Sequence, residues 1–294
     1  MASNKNIRNA LTQEYRALKK AAQGDLRGSK TADRLLCLIL SSLRFLKAKA
    51  TKVTLVSQVK NKQYFSFALE TKKDLLSRPI NEAFFENDIA RIEKQWSELL
   101  NLKGAVLARL LYTAAVSFCA AIDLFDRNNK KEPATYFEIL VGHLFARVLG
   151  TNPQKKAAVP LDSKTVKLTM DFLFELGPKR KNIHLPVKMS TRERVVQAWA
   201  HQRILDASFG KGKYLGVLVV FSETKLDLKK REVIEICVPE QWLAYQTLIA
   251  RMERIYYFDV PKRYLDLAAA HSIIVLKNFH LFFEETKEVL AAQS

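Results

Sequence analysis

Thr169–Leu205 reads TMDFLFELGPKRKNIHLPVKMSTRERVVQAWAHQRIL. The apolar residues around Asp171 and the following Glu175 extend a strand-like run over Val166–Leu176. Gly177-Pro178-Lys179-Arg180-Lys181-Asn182 is a turn by composition, because Gly and Pro interrupt either regular structure. Ile183–Met189 then returns as a second apolar strand. Ser190–Phe209 reads as a helix, with Ser190 or Thr191 as the N-cap and Glu193 close behind it. The stretch is therefore a β-hairpin feeding a helix. Asp171 stands in the first strand, and Lys188 stands late in the second, 17 residues on.

Elements on either side fit the same pattern. Ala134–Leu149 is a helix ending at Gly150. Tyr214–Phe221 (YLGVLVVF) is an apolar strand of the kind buried on both faces. Glu232–Val238 and Ile255–Phe258 are further strands, a helix opened by Pro239 runs through Ala250, and a last helix follows Asn278. This order predicts a mixed α/β fold, a central mixed β-sheet flanked by helices. Upstream the text is mostly helical: residues 5–23, 31–50, 81–102 and 104–126, with a short hairpin expected within 51–70. Asp126–Pro133 (DRNNKKEP) is a polar linker. It predicts a mainly helical, basic region over 1–130 and a catalytic-type α/β core over 131–294, with no internal repeat.

Charge narrows the partner. The 294 residues hold 48 Lys plus Arg against 30 Asp plus Glu, a net +18. Residues 1–60 hold thirteen basic against three acidic side chains, and residues 131–210 hold thirteen against seven. Such an excess suits a polyanion, since each neutralised phosphate releases a condensed counterion. Cys37, Cys119 and Cys237 are widely spaced, with no CxxC or Cys/His pattern. That argues against a disulfide framework or a zinc site and for a reducing, cytoplasmic setting. Met1–Gln23 is polar and charged, unlike a signal peptide. No run of 18 apolar residues occurs, so no membrane association is expected.

Hydrolysis of a phosphodiester with a bound divalent cation requires carboxylates to hold the ion. It also requires a cation near the attacking water or the crowded phosphorus. Asp171 and Lys188 on neighbouring hairpin strands, with Glu138 on the preceding helix, supply those groups in order.

The hairpin and its following helix resemble the catalytic hairpin of type II restriction endonucleases in the PD-(D/E)XK superfamily. ATYFEILVGHLFARVLG (134–150) resembles the helix that precedes it, over a match spanning about residues 134–260. The resemblance implies a restriction-endonuclease-like core, Mg²⁺ as cofactor, double-stranded DNA as substrate and 5′-phosphate products. It also implies a homodimer, in a prokaryotic cytoplasm. Carried over residue by residue, Asp171, Lys188 and Glu138 take the catalytic positions. Asp171, Glu138, Glu175 and the Val187 carbonyl are the metal-ligand candidates. Lys179, Arg180, Lys181, Ser190, Thr191, Arg192, Arg194, Gln197 and His201 are the DNA-contact candidates.

One position departs from the pattern. Pro186 stands two residues before Lys188, on the same strand face, where the superfamily has Asp or Glu. A second carboxylate must then come from elsewhere: Glu138 first, Glu175 next, with Glu193 a third rival. The bland alternatives stay open at this point. Asp171 suits a solvated strand acid, Lys188 an edge lysine with its stem on apolar surface, and Glu138 a helix-surface glutamate. His184 shares the Lys188 face as a structural or DNA-contacting side chain, and Tyr256-Tyr257-Phe258 reads as core. Two other functions compete: a repair, junction or transposition nuclease of the same fold, and a basic DNA-binding protein without catalysis.

Overall fold

In the computed structural model two helices open the chain, α1 (Asn4–Gly24) and α2 (Ser29–Lys49). Four strands follow: β1 (Ala50–Ser57), β2 (Tyr64–Leu69), β3 (Lys72–Leu76) and β4 (Ile80–Asn81). Then come α3 (Ile89–Ser97), α4 (Gly104–Asp123) and α5 (Lys131–Leu149). The hairpin region contains β5 (Gln154–Leu161), β6 (Lys164–Phe174), β7 (Asn182–Leu185), β8 (Val187–Lys188) and α6 (Val196–Phe209). β9 (Tyr214–Val220), β10 (Thr224–Asp227), β11 (Glu232–Glu235) and α7 (Pro239–Ala244) come next. The chain closes with β12 (Met252–Tyr257), α8 (Lys262–Ala270), β13 (Leu276–Asn278) and α9 (Leu281–Leu290). Residues 4–178, 180–191 and 195–290 are described, except for the side chains of 72, 73, 287, 289 and 290.

The chain divides into two compact units. The first is 1–143 with 224–235, and the second is 144–223 with 236–294. α4 is the axis of the first unit's core. It is long and apolar enough to cross a membrane, yet 78% of that stretch is buried inside the protein. α1 lays Leu11, Tyr15, Leu18 and Ala21, one helical face, into this core. Tyr15 stacks on Phe118 of α4, ring centres 5.3 Å apart. Asp123, at the buried end of α4, is bound by the Arg78 guanidinium at 2.8 and 3.0 Å and by the Arg78 amide at 2.9 Å. Besides its helices the unit has a six-stranded mixed sheet, ordered β10-β11-β1-β2-β3 with β4 on β2. β10 and β11 come from far along the chain, and β11 joins β1 in parallel. Sequence periodicity shows the β1–β2 hairpin and the β11 strand, but not β3, β4 or β10, nor that β11 belongs to this sheet. The helix expected over 81–102 is also shorter: Asn81 pairs with Tyr64, Asp88 caps α3 through the amides of Ala90 and Arg91, and regular helix covers 89–97.

The second unit is built on a seven-stranded mixed sheet, β13-β12-β9-β7-β6-β5, with β8 also on β9. Every residue of β9 is buried, and it runs parallel to β7, β8 and β12. Its continuous apolar run is the signature of a parallel strand covered on both faces. On one face α6 packs Trp199 and Ala198 into a cluster with Leu218, Val220 and Tyr257. On the other, Phe174 meets Phe145 of the last turns of α5, and Phe145 stacks on Phe282 of α9 at 3.8 Å.

Two expectations change here. α6 starts at Val196 rather than Ser190, and its first turn has no side-chain cap from Ser190 or Thr191. The chain after Lys188 instead continues along the end of β9. Phe221 and Ser222 donate their amides to the carbonyls of Lys188 and Met189, and the Thr191 amide donates to Glu223 Oε1 at 2.8 Å. The helix after Pro239 gives way at Tyr245 to a five-residue π turn, Tyr245–Ile249.

Candidate active site

The site is formed where a strand ladder opens. β6 and β7 pair through Phe172–Leu185, Leu173–His184 and Phe174–Ile183 and no further. The next residue of the return strand is Pro186, which has no N–H to give. Pairing with β9 nevertheless stays in register across it: His184 faces Gly216 and Val187 faces Val219. Opposite the break, the Asp171 side chain enters the gap. Its Oδ2 accepts the Val187 amide at 2.8 Å and the Lys188 ammonium at 2.7 Å. The Val187 amide, which faces β6, is thus bound by the Asp171 side chain where the ladder stops.

Asp171 and Lys188 are each about a quarter exposed, at 27% and 22%. Their ion pair sits at a partly wet surface and not in the core. Oδ1 of Asp171 takes no hydrogen bond among the described residues. Val219 and Phe221 of β9 donate to the carbonyls of Pro186 and Lys188. By strand alternation the intervening Val187 carbonyl faces β6, into the opened ladder.

α6 forms the wall above. Gln202 donates through Nε2 to Asp206 Oδ1 at 2.9 Å and to the Tyr214 carbonyl at 2.8 Å. Its Oε1 is then the acceptor for His184 Nδ1 at 3.0 Å, which fixes the proton on Nδ1 and leaves Nε2 as a lone pair. Gly216 is required beneath this contact, since a Cβ there would meet Gln202 Oε1 at 2.9 Å and Met252 Sδ at 2.5 Å. Burial pushes the His184 imidazole down to about 4, against a smaller upward pull from Gln202. His201, one residue before Gln202, lies near both Asp171 and Lys188. Its pKa is lowered by burial, partly offset by the Asp171 carboxylate.

The other sequence candidates separate. Glu175 lies just past β6, about 13 Å along the strand from Asp171. Its carboxylate accepts the Tyr214 hydroxyl at 3.2 Å and the Gln154 amide at 3.4 Å. Burial, with Glu175 beside it, lifts the Tyr214 hydroxyl to about 12. Glu138 is a half-buried residue of the first unit, close enough to Tyr15 to raise its hydroxyl's pKa alongside burial. Arg180 and Gln197 are exposed, and Lys181 and Ser190 are half-buried. Lys179, Arg192, Arg194 and the rival acid Glu193 lie outside the described residues. Thr191 is buried, held by Glu223 and 3.3 Å from the Tyr264 hydroxyl. Glu223 was missed in the sequence; the signal was an acid placed directly after the buried run YLGVLVVFS.

Among the described residues no three His, Cys, Asp or Glu side chains form a metal-holding group. Mg²⁺ keeps several waters and is bound through one or two carboxylates plus substrate phosphates. Asp171 Oδ1 and the Val187 carbonyl are hard oxygen donors of that kind, so the residues present fit the ion.

No protein-family model matches the chain, and neither does any curated protein sequence. Two solved structures are similar to it. The type IIP restriction endonuclease Kpn2I matches with a TM-score of 0.80 at 24% identity, over 95% of this chain and 97% of that one. The restriction endonuclease PspGI, in complex with substrate DNA, matches with a TM-score of 0.45 at 16% identity. That match covers 68% of this chain and 91% of PspGI, and is too loose to bear on the site. With the mixed sheet and its flanking helices, the first likeness gives this chain the fold of a type II restriction endonuclease.

Proposed function

We propose that this protein is a site-specific endonuclease of double-stranded DNA, dependent on Mg²⁺, of the restriction–modification kind. The observation that carries the reading is the Asp171–Lys188 pair at 2.7 Å, set in the opened ladder of a restriction-endonuclease fold. The charge of +18 supports a DNA partner.

Asp171 and the Val187 carbonyl would hold the ion. When bound, Mg²⁺ supplies Lewis-acid stabilisation of charge on the scissile phosphate and lowers the pKa of a ligated water. Asp171 also holds Lys188 in place through Oδ2. The Lys188 ammonium, tethered beside the carboxylate, orients the attacking water and offsets the charge that develops on phosphorus oxygens. His184 is kept neutral by burial and fixes Gln202, which carries the α6 wall at the right height over the pair. His201, Arg180, Lys181, Gln197 and Ser190 are assigned to DNA contact, together with Lys179, Arg192 and Arg194; Thr191, buried against Glu223 and Tyr264, is structural instead. Attack in line with the 3′ oxygen leaves a 5′-phosphate and a 3′-hydroxyl. A homodimer matches a palindromic site by its own two-fold axis.

End chemistry tests this reading. Protein stripped with a chelator and given Mg²⁺ should recover cutting, and the fragments should be resealed by a DNA ligase without prior phosphorylation. Cutting that persists in chelator, or ends that need a kinase before ligation, would overturn it.

A further inference from the structure

Beyond the hairpin, β6 has a second half with no partner on the β7 side. Its pairing with β7 stops at Phe172, while its pairing with β5 continues from Thr169–Lys156 through Ala158–Lys167 and Pro160–Thr165 to Leu161–Lys164. Residues 156–169 are therefore a two-stranded ribbon that leaves the sheet at Asp171. A register shift between Gln154 and Lys156 marks the departure.

The ribbon's two faces differ. Ala157, Val159, Leu168 and Met170 pack with Leu205 and Ile204 of α6, which anchors the ribbon to the same helix that walls the site. The opposite face pairs Lys156 with Thr169, Ala158 with Lys167 and Pro160 with Thr165, and all six residues are exposed. That face has two ammonium groups and two hydroxyls and no carboxylate. Lys on an edge strand also blocks strand-to-strand aggregation; both strands of the ribbon are edges, so this role covers Lys156 and Lys167 alike but not Thr165 and Thr169. Same-face residues on β6 repeat every ~6.6 Å, close to two steps of ~3.4 Å of rise along the duplex axis. Thr169 begins the row two residues from Asp171.

We propose that this ribbon is a DNA-backbone clamp, with Lys156, Lys167, Thr165 and Thr169 binding the phosphates that flank the cut. It rests on the endonuclease reading, whose assigned DNA contacts all lie between residues 179 and 201. The ribbon would set affinity and register along the backbone and leave base choice to other residues.

The test is DNA binding without cutting, in Ca²⁺ in place of Mg²⁺, measured as affinity against salt concentration. It uses wild type, Lys156→Gln/Lys167→Gln, and a control, Lys229→Gln/Lys230→Gln, which removes two exposed lysines from the β10–β11 turn. Two lost phosphate contacts should flatten the log–log salt slope by about 2 in the ribbon variant. Affinity at low salt should fall at least about tenfold, equally on specific and random duplexes. The control should keep the wild-type slope. A ribbon variant with the wild-type slope, or a control that loses as much, would overturn the clamp while leaving the endonuclease reading intact. Wild type that binds no DNA at all would overturn both.

Discussion

Asp171 and Lys188 were legible from the sequence because an acid and a lysine stand out in apolar strands at hairpin spacing. Their hydrogen bonds were not. The 2.8 Å bond from the Val187 amide to Asp171 stands where the β6–β7 ladder stops, a side-chain-to-backbone contact that no spacing rule carries. Asp171→Ala should lower cleavage by more than about 10²-fold, since a metal carboxylate supports several kcal/mol of charge stabilisation. Filter binding in Ca²⁺ should still show retention of DNA. Undiminished cutting by this variant would remove the site assignment. His184 gives a second prediction at this scale. Its folded pKa of about 4 lies below the ordinary 6.5, so the unfolded chain binds the extra proton and stability falls as pH drops from about 6.5 to about 4. The 2.5-unit gap corresponds to about 3 kcal/mol. Denaturant midpoints across that range should fall in wild type and flatten in His184→Asn, and identical slopes would contradict the neutral, buried imidazole.

At the scale of elements, strands with a strong apolar signal were readable, whereas pairings between strands far apart in sequence were not. β9 announced itself as YLGVLVV. β5 did not, because QKKAAVPL offers only Ala157 and Val159 as a buried face. β10 and β11 find their sheet only by joining β1 across more than 170 residues. The start of α6 was misread because Ser190 and Thr191 look like caps in isolation, whereas Glu223 and the end of β9 already claim that backbone. Gly216 tests the fit of α6 on the sheet. Gly216→Ala forces a Cβ against Gln202 and Met252, and should cost about 1–3 kcal/mol by overpacking. Calorimetry should show a lower Tm, and an unchanged one would mean that the Gln202–His184 contact is not held where it is drawn. Glu175→Gln should cut normally, since Tyr214 and Gln154 engage that carboxylate about 13 Å along the strand from Asp171; loss of Mg²⁺-dependent cutting would assign a metal carboxylate to the end of β6.

At the scale of the whole molecule, composition was informative before any element was drawn. A net +18 pointed to a polyanion. The two-unit division, in which residues 224–235 return to the first unit, was invisible because it depends on β11 pairing with β1. The same charge predicts a steep fall of non-specific DNA affinity with salt, and a flat response would turn the basic residues away from DNA. The most direct test of the central claim is incubation of the purified protein with a long phage DNA in Mg²⁺. The account predicts a fixed set of discrete fragments, absent with Asp171→Ala. A smear, cuts confined to branched or damaged DNA, or a gel shift with no cutting under any divalent cation would contradict it.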